Sequence, residues 1–441
     1  MGRFPVTKHT SLYVNGSFHV SIEATTPRFE VGVEAVAHLR REGFVVIKNC
    51  NYSEVAHARE LLWSYMEGTG QGVRRDSPAT WVRNQPNPYG IFWLFGAGHS
   101  RLAWFLRTRP QLRRMFALVW DTEDLIASFE GFSMFPPAQV EDSWRLGEAW
   151  FHTDQNHRSR PGLQTIQSFT SLYDQDESTG GFVVVPRSWE RHAKVTARIY
   201  QEAPRTPEEQ QFLMVPPNDP VLSRPHVPRL IKCHAGDTVM WDSRTVHCST
   251  PSLRNRETVE RTSGASESPK AAPRAAAAPS ASALGKGWQS EGTDAAHDVV
   301  EPPARVAVYC SMAPRTRASD DVLLARQRAL LAHQTCTHWP FDTTCLESPE
   351  AMGHPSSDPL RRAFGVHKSL VGYTDGQIQG WLSGRKQPKR RRIDQRTAPD
   401  FSWSLPVQLS SRVDDEVAGR RRLRDVLPSR VRRSGTSRLR L

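Results

Sequence analysis

At 441 residues the chain has room for one large domain or two ordinary ones, and its mean hydropathy of -0.54 with 38% apolar residues implies a folded part averaged with polar, weakly folding segments. The formal charge of +12 is local: residues 381–441 carry 17 Lys/Arg and 6 Asp/Glu, leaving 41 basic against 40 acidic residues elsewhere, which excludes a basic body built for nucleic acid. Six cysteines without a CxxC pair exclude a disulfide framework.

In chain order, residues 33–41 and 52–66 place apolar side chains at three- and four-residue spacing, which predicts two N-terminal helices, the second with Ser53 as N-cap. They flank a strand over 43–48. Strands follow over 125–135, 163–173, 181–185, 229–233, 237–241 and 305–312, separated by Pro, Gly, Asp and Ser clusters. Short strands without long helices between them predict a mainly β sandwich or jelly roll. Residues 258–303 are dominated by Ser, Ala, Pro and Gly, and read as a disordered insertion, because they cannot bury enough surface to offset their ordering entropy. The expected organisation is a β domain over 1–318, a helical or irregular extension over 319–380 with a helix at 320–331, and a disordered basic tail over 381–441. The first residues show no signal-peptide pattern, Val6 stands where myristoylation needs Ser or Thr, and no run of about 18 apolar residues occurs. The expectation is an intracellular protein, cytoplasmic or nuclear, without a membrane span.

The chemistry begins at AWFHTDQN, residues 149–156. On a strand, His152 and Asp154 share a face because side chains alternate with period two. An imidazole and a carboxylate hold a divalent metal poorly without a third ligand, and His247 in GDTVMWDSRTVHCS is the best candidate. Two histidines and one carboxylate on one face of an octahedral ion leave three positions open, the pattern of non-haem Fe(II) oxygenases. A 2-oxo acid such as 2-oxoglutarate fills two of them and O2 the third.

FHTDQN, then LQTIQSFTSLYDQDESTGGFVVVPRSWERH, then AGDTVMWDSRTVHCS, together resemble the phytanoyl-CoA dioxygenase family of 2-oxoglutarate oxygenases, over roughly residues 33–317. The resemblance implies a double-stranded β-helix of the jelly-roll, cupin-like kind, with Fe(II) on His152, Asp154 and His247. It further implies that an arginine opening the next strand binds the distal carboxylate of 2-oxoglutarate. Arg305 matches, with Arg254 and Arg256 as alternatives because the insertion obscures the spacing. Ser249 matches a family hydroxyl two residues past the second histidine, and Gln167, Thr170 and Phe169 fall on a strand beside the same pocket. Gly180-Gly181 matches a turn. The sequence departs at Arg187-Ser188-Trp189, where relatives commonly carry Gly-Ser-His. Retention of Asp154 favours hydroxylation over halogenation.

Other features have plainer alternatives. The basic run 385–392 reads either as a nuclear-localisation signal or nucleic-acid patch or as a solvated tail, and no aromatic residues interleave with it for base stacking. Cys336, His338 and Cys345 lack standard zinc spacing and read as a packed structural segment. His157, Arg158 and Arg160 fit either an anionic substrate group or a solvated loop. Residues 81–98 offer aromatic walls for a pocket. The sequence therefore predicts an enzyme hydroxylating a small or lipid-like organic substrate. The alternatives are a catalytically silent jelly-roll binding protein directed to the nucleus or nucleic acid by its tail, and a zinc hydrolase.

Overall fold

The predicted strands, joined by others the sequence did not mark such as Thr10–Val14, Phe18–Ile22 and Leu213–Met214, assemble into two sheets packed face to face. The structure, a computed structural model, describes residues 10–14, 18–23, 25–84, 90–135, 150–207, 210–223, 227–250 and 302–346. The predicted insertion, Arg254 and Arg256, and the basic tail lie outside these residues except for 302–303. Among the described residues the first sheet orders Thr10–Val14, Phe18–Ile22, Arg229–Ile231, Gly181–Val184, His247–Thr250, His152–Thr153 and Leu213–Met214. The second orders Arg28–Phe29, Phe44–Lys48, Asp237–Asp242, Ile166–Ser171, Arg305–Tyr309, Phe132–Phe135 and Ile91–Phe92. Met312–Pro314 joins it through Ile166 and pairs with Leu125–Ala127. Pairing is antiparallel apart from two parallel contacts, Arg28–Phe29 with Phe44–Lys48 and Arg229 with Ser21.

Both faces of the central strands are buried, which explains apolar runs such as FVVV. Phe182, Val184 and Ile231 of the first sheet meet Phe44, Val46, Phe169, Val239, Trp241 and Ala307 of the second in one interior cluster. Each such fully buried Phe or Val contributes roughly 1.5–3 kcal/mol. The alternate residues Val183, Val185 and Cys248 face outward onto Val195, Ile199 and Tyr200 of the helix His192–Glu202. Val306 and Val308 face outward onto Ala58, Leu61 and Leu62 of Tyr52–Gly68 and Leu102 and Leu106 of Arg101–Arg107.

Among the described residues three α-helices outside the predicted set are present: Arg101–Arg107, Pro110–Trp120 and His192–Glu202. Helix Tyr52–Gly68 begins at the expected residue, but its N-cap lies two residues before the predicted one. Asn51, not Ser53, is its N-cap: the Asn51 side chain accepts from the Glu54 amide at 3.0 Å, and Glu54 accepts from the Asn51 amide at 2.9 Å. This reciprocal pair satisfies two otherwise orphaned donors, which Ser53 alone would not. The predicted strand 125–135 is interrupted between Ala127 and Phe132, and 305–312 between Tyr309 and Met312. Trp81 and Phe92, expected as pocket walls, are buried in the helix-covered core, with Trp81 4.9 Å from Trp63. Helix Asp320–Leu331 follows as predicted, capped by Ser319. No described helix is long and apolar enough to cross a membrane.

Candidate metal centre

His152 and His247 lie directly opposite each other on neighbouring strands of the first sheet, so strand pairing itself brings together two residues far apart in sequence. Their ring centroids are 4.3 Å apart. Asp154 projects to the same face two residues after His152, with its Oδ1 3.4 Å from His152 Nε2 and its Oδ2 3.1 Å from His247 Nε2. Among the described residues these three form the one group of His, Cys, Asp or Glu able to hold a metal, their ligand atoms all within 4.8 Å of one another. Cys336, His338 and Cys345 do not form such a group.

The imidazoles are oriented for ligation. His152 Nδ1 bonds the Trp150 carbonyl at 3.1 Å and His247 Nδ1 bonds the Thr245 carbonyl at 2.8 Å. A carbonyl only accepts, so both Nδ1 atoms carry the proton and both Nε2 lone pairs face Asp154. The Trp150 ring stacks on His152 at 4.0 Å and 6°. Burial, then the neighbouring His247, lowers the His152 pKa. Burial works to raise the Asp154 pKa, but His247 and His152 overcome it and hold the carboxyl well below the ordinary range. Gln167 Nε2 donates to Asp154 Oδ2 at 2.7 Å.

The residues around the triad explain why its motif reads HTDQN. Fully buried Gln155 donates to the carbonyls of Arg160 and Gly162 at 2.6 Å each and accepts from Ser243 Oγ at 2.6 Å. Its own carbonyl receives His192 Nε2 at 2.6 Å. Asn156 donates to Tyr200 Oη and the Gln210 carbonyl. On the other side Ser188, from the departing Arg-Ser-Trp segment, accepts the Val246 amide at 2.8 Å and fixes the chain just before His247. Gly43 packs so closely there that a Cβ would sit 2.6 Å from Thr245 Oγ1.

Arg305, Ala307 and Tyr309 point into the interior, as the burial of Ala307 and Tyr309 in the inter-sheet cluster shows. Arg305 is 3% exposed, bonds the Thr250 carbonyl at 3.2 Å and lies 4.1 Å over the Phe135 ring. Among the described residues no carboxylate pairs with it, and burial lowers its pKa to about 10. Thr250 is three residues from His247, roughly 10 Å along one strand. Ser249 is half-buried on the His247 face of that strand, opposite Phe182. Thr170 does not share the face of Gln167: odd and even positions alternate, and its hydroxyl bonds Thr238 at 2.7 Å and Asn49 at 3.3 Å behind the sheet. Phe169 lies inside, 6.0 Å from Trp241.

Sequence reasoning did not single out several residues that the structure brings to this region. Trp241, 5.4 Å from His247 between ring centroids, has an indole N–H without an acceptor among the described residues. Ser311 falls opposite Gln167, in register with the pairs Tyr309–Phe169 and Met312–Ile166. Its hydroxyl and that of Ser128 both donate to Glu130 Oε2, at 3.0 and 2.5 Å. Burial pushes the Glu130 carboxyl up to about 7. His338, read from the sequence only as part of a packed segment, comes from the C-terminal extension to lie near Asp154 and His247, and burial lowers its pKa to about 4. The placements differ for the basic residues after the motif. Arg160 pairs with Asp342 and stacks 4.2 Å over Trp339, whereas His157 and Arg158 line a separate cavity of about 320 Å³ with Thr196 and Tyr200.

No protein-family model matches the chain. A curated relative, Ava biosynthesis cluster protein O of Aspergillus versicolor, is 25% identical over 223 residues, covering 47% of this chain and 69% of that protein. Solved structures with some likeness include EvdO2 of Micromonospora carbonacea var. aurantiaca complexed with 2-oxoglutarate (15% identity, 64% of this chain and 90% of that one, TM-score 0.36). Others are EctD of S. alaskensis in its apoform (10%, 66% and 79%, TM-score 0.38) and the epimerase SnoN in complex with Fe3+, alpha ketoglutarate and nogalamycin RO (15%, 64% and 83%, TM-score 0.34).

Proposed function

We propose that this protein is a non-haem Fe(II) oxygenase that consumes 2-oxoglutarate and O2 and hydroxylates a small or lipid-like organic substrate, on a double-stranded β-helix of the phytanoyl-CoA dioxygenase type. The observation that carries this reading is the His152, Asp154, His247 group with two Nε2 lone pairs and one carboxylate converging, inside the same interior as a buried guanidinium that no carboxylate pairs among the described residues. The donor set fits the ion: imidazole and carboxylate suit Fe(II), and three protein ligands leave room for a bidentate 2-oxo acid. When bound, iron with 2-oxoglutarate supplies activation of O2 and oxidation of a C–H bond, with succinate and CO2 released.

The chain's own residues have distinct tasks in this scheme. Arg305 supplies a planar two-pronged donor for the distal carboxylate of 2-oxoglutarate, an interaction strengthened by desolvation. Gln167 fixes one oxygen of Asp154, and Trp150 fixes the plane of His152, so the ligand face is formed before any ion arrives. Phe182 and Trp241 flank His247 with apolar surface, backed by Phe169, and exclude water. Ser249, Glu130 and His338 add polar groups near the centre. The relative's name refers to a biosynthesis cluster, in keeping with a small organic substrate.

Anaerobically purified protein is expected to bind Fe(II) with one-to-one stoichiometry and to convert 2-oxoglutarate to succinate, and His152→Ala to lose both. Retention of both by the variant overturns the assignment. Tight zinc binding without 2-oxoglutarate turnover favours metal-assisted hydrolysis, and absence of metal binding favours a silent binding protein.

A further inference from the structure

The Cys336–Cys345 pair lies in the C-terminal strap, residues 335–346, which folds back against the metal-centre loop. Two main-chain bonds hold the strap as a hairpin: Thr337 N to Thr344 O at 3.0 Å and Leu346 N to Thr335 O at 2.8 Å. They flank Cys336 and Cys345, which bridge each other antiparallel. The cysteines therefore occupy a non-hydrogen-bonded pair, the position in an antiparallel ladder where opposite Cα atoms approach most closely, about 4.5 Å. That spacing falls within the range a disulfide spans without backbone movement, about 4.4–6.8 Å. The two Sγ atoms are 3.4 Å apart.

The same strap is tied to the body of the domain at several points and to the metal-centre loop through Arg160. Thr335 Oγ1 accepts the Gly98 amide at 3.0 Å, Cys336 N donates to the Phe129 carbonyl at 2.9 Å, and Arg326 donates to the Pro340 carbonyl at 2.8 Å. Trp339 and Asp342 hold Arg160, six residues past the metal-ligand candidate Asp154.

We propose that Cys336 and Cys345 form a reversible cross-strand disulfide that clasps this strap over the metal-centre loop. The oxidant is a low-molecular-weight disulfide of the glutathione class. Cys345 is exposed and Cys336 is buried, so the order of events follows from access. The Cys345 thiolate attacks the small disulfide, one small thiol leaves, and a mixed disulfide remains on Cys345. The Cys336 thiol then loses its proton and attacks the Cys345 sulfur, and the second small thiol leaves. Two protein thiols are oxidised and one small disulfide is reduced to two thiols. This clasp does not depend on the identity of the metal.

The test uses the full-length protein treated with glutathione disulfide, alkylated with iodoacetamide and digested with trypsin. Residues 329–361 form one tryptic peptide that contains Cys336 and Cys345 and no other cysteine. The expected product is this peptide two hydrogens lighter and resistant to alkylation, restored to the alkylated form by dithiothreitol. In Cys336→Ser, Cys345 retains the glutathione adduct. Amide hydrogen exchange over 335–346 slows about tenfold or more in the oxidised wild type, because opening of the strap then requires more than breaking its main-chain bonds. A wild-type peptide carrying glutathione on Cys345 with Cys336 alkylated, or one that stays fully reduced while glutathione adducts form elsewhere, overturns the proposal. Unchanged exchange in the oxidised protein refutes the clasp even if the bond forms.

Discussion

Replacing Arg305 with methionine separates the cost of holding a buried guanidinium from its use in binding a dicarboxylate. Arg305 is 3% exposed, contacts the Thr250 carbonyl and the Phe135 ring among the described residues, and has its pKa lowered to about 10 by burial. A drop from 12.5 to about 10 corresponds to roughly 3 kcal/mol of unfavourable desolvation. This cost is fully expressed near neutral pH, because the side chain is charged in both folded and unfolded states there. Methionine fills similar volume without the charge, so Arg305→Met is expected to stabilise the ligand-free protein by about 1–3 kcal/mol after loss of the cation–π contact. For a domain of this size that corresponds to a rise in Tm of roughly 3–10 °C. With Ni(II) in place of Fe(II), 2-oxoglutarate at about a hundred times its Kd should add about 2.7 kcal/mol to the wild type. The variant should gain almost nothing. Differential scanning calorimetry with and without 2-oxoglutarate reads both effects at once. A variant that is destabilised without ligand, yet keeps full protection by 2-oxoglutarate, would refute the reasoning and move the carboxylate site to Arg254 or Arg256.

Gln167→Leu removes the donor that orients Asp154 and is expected to weaken metal binding about 10- to 100-fold with the fold intact, measured by anaerobic calorimetric titration; a change below about threefold would show that the amide is dispensable. Glu130 has its pKa raised from 4.5 to about 7, so the folded protein holds a proton that the unfolded chain has already released between those values. Its contribution to stability therefore falls as pH rises through that window, and Glu130→Gln should stabilise by up to about 3 kcal/mol at pH 8 and by little at pH 4. Urea denaturation at the two pH values checks this, and equal effects at both would contradict it. Gly43→Ala places a methyl group 2.6 Å from Thr245 Oγ1 and 2.7 Å from Trp189 Cδ1 at a residue with φ of +83°. It should cost about 1–3 kcal/mol and weaken metal binding through the displaced Thr245–His247 segment. Unchanged thermal stability would show that the loop yields freely.

Local pattern accounts for the parts of the architecture that depend on nearest neighbours. Short β-rich runs between turn clusters marked the central strands, and the His152–Asp154 spacing placed two polar groups on one face, because period two is a property of the extended backbone itself. The helices Pro110–Trp120 and His192–Glu202 were less legible. The second follows a strand whose two faces are both covered, and its apolar residues pack on the outward side chains of that strand. A continuous apolar run does not announce that it needs a helix on one side. Ser53 was a sound local choice of cap, but Asn51 wins by pairing reciprocally with Glu54. The placement of Thr170 turned on register: a strand three positions long between Gln167 and Thr170 puts them on opposite faces.

What the sequence by itself determined is the kind of chemistry available: one imidazole and carboxylate at period-two spacing, a second imidazole beyond a predicted strand, and an arginine opening a later strand. What only the tertiary structure decided is which of these groups meet. His152 and His247 are partners because two short strands pair in one register. Arg305 is buried with no carboxylate beside it among the described residues because the interior closes around it, and Glu130 and His338 reach the centre from segments with no sequence relation to the motif. Spacing along a strand is local and can be read from the chain. Convergence across strands is set by long-range pairing and by which face each sheet turns inward, and that information resides in the packed whole.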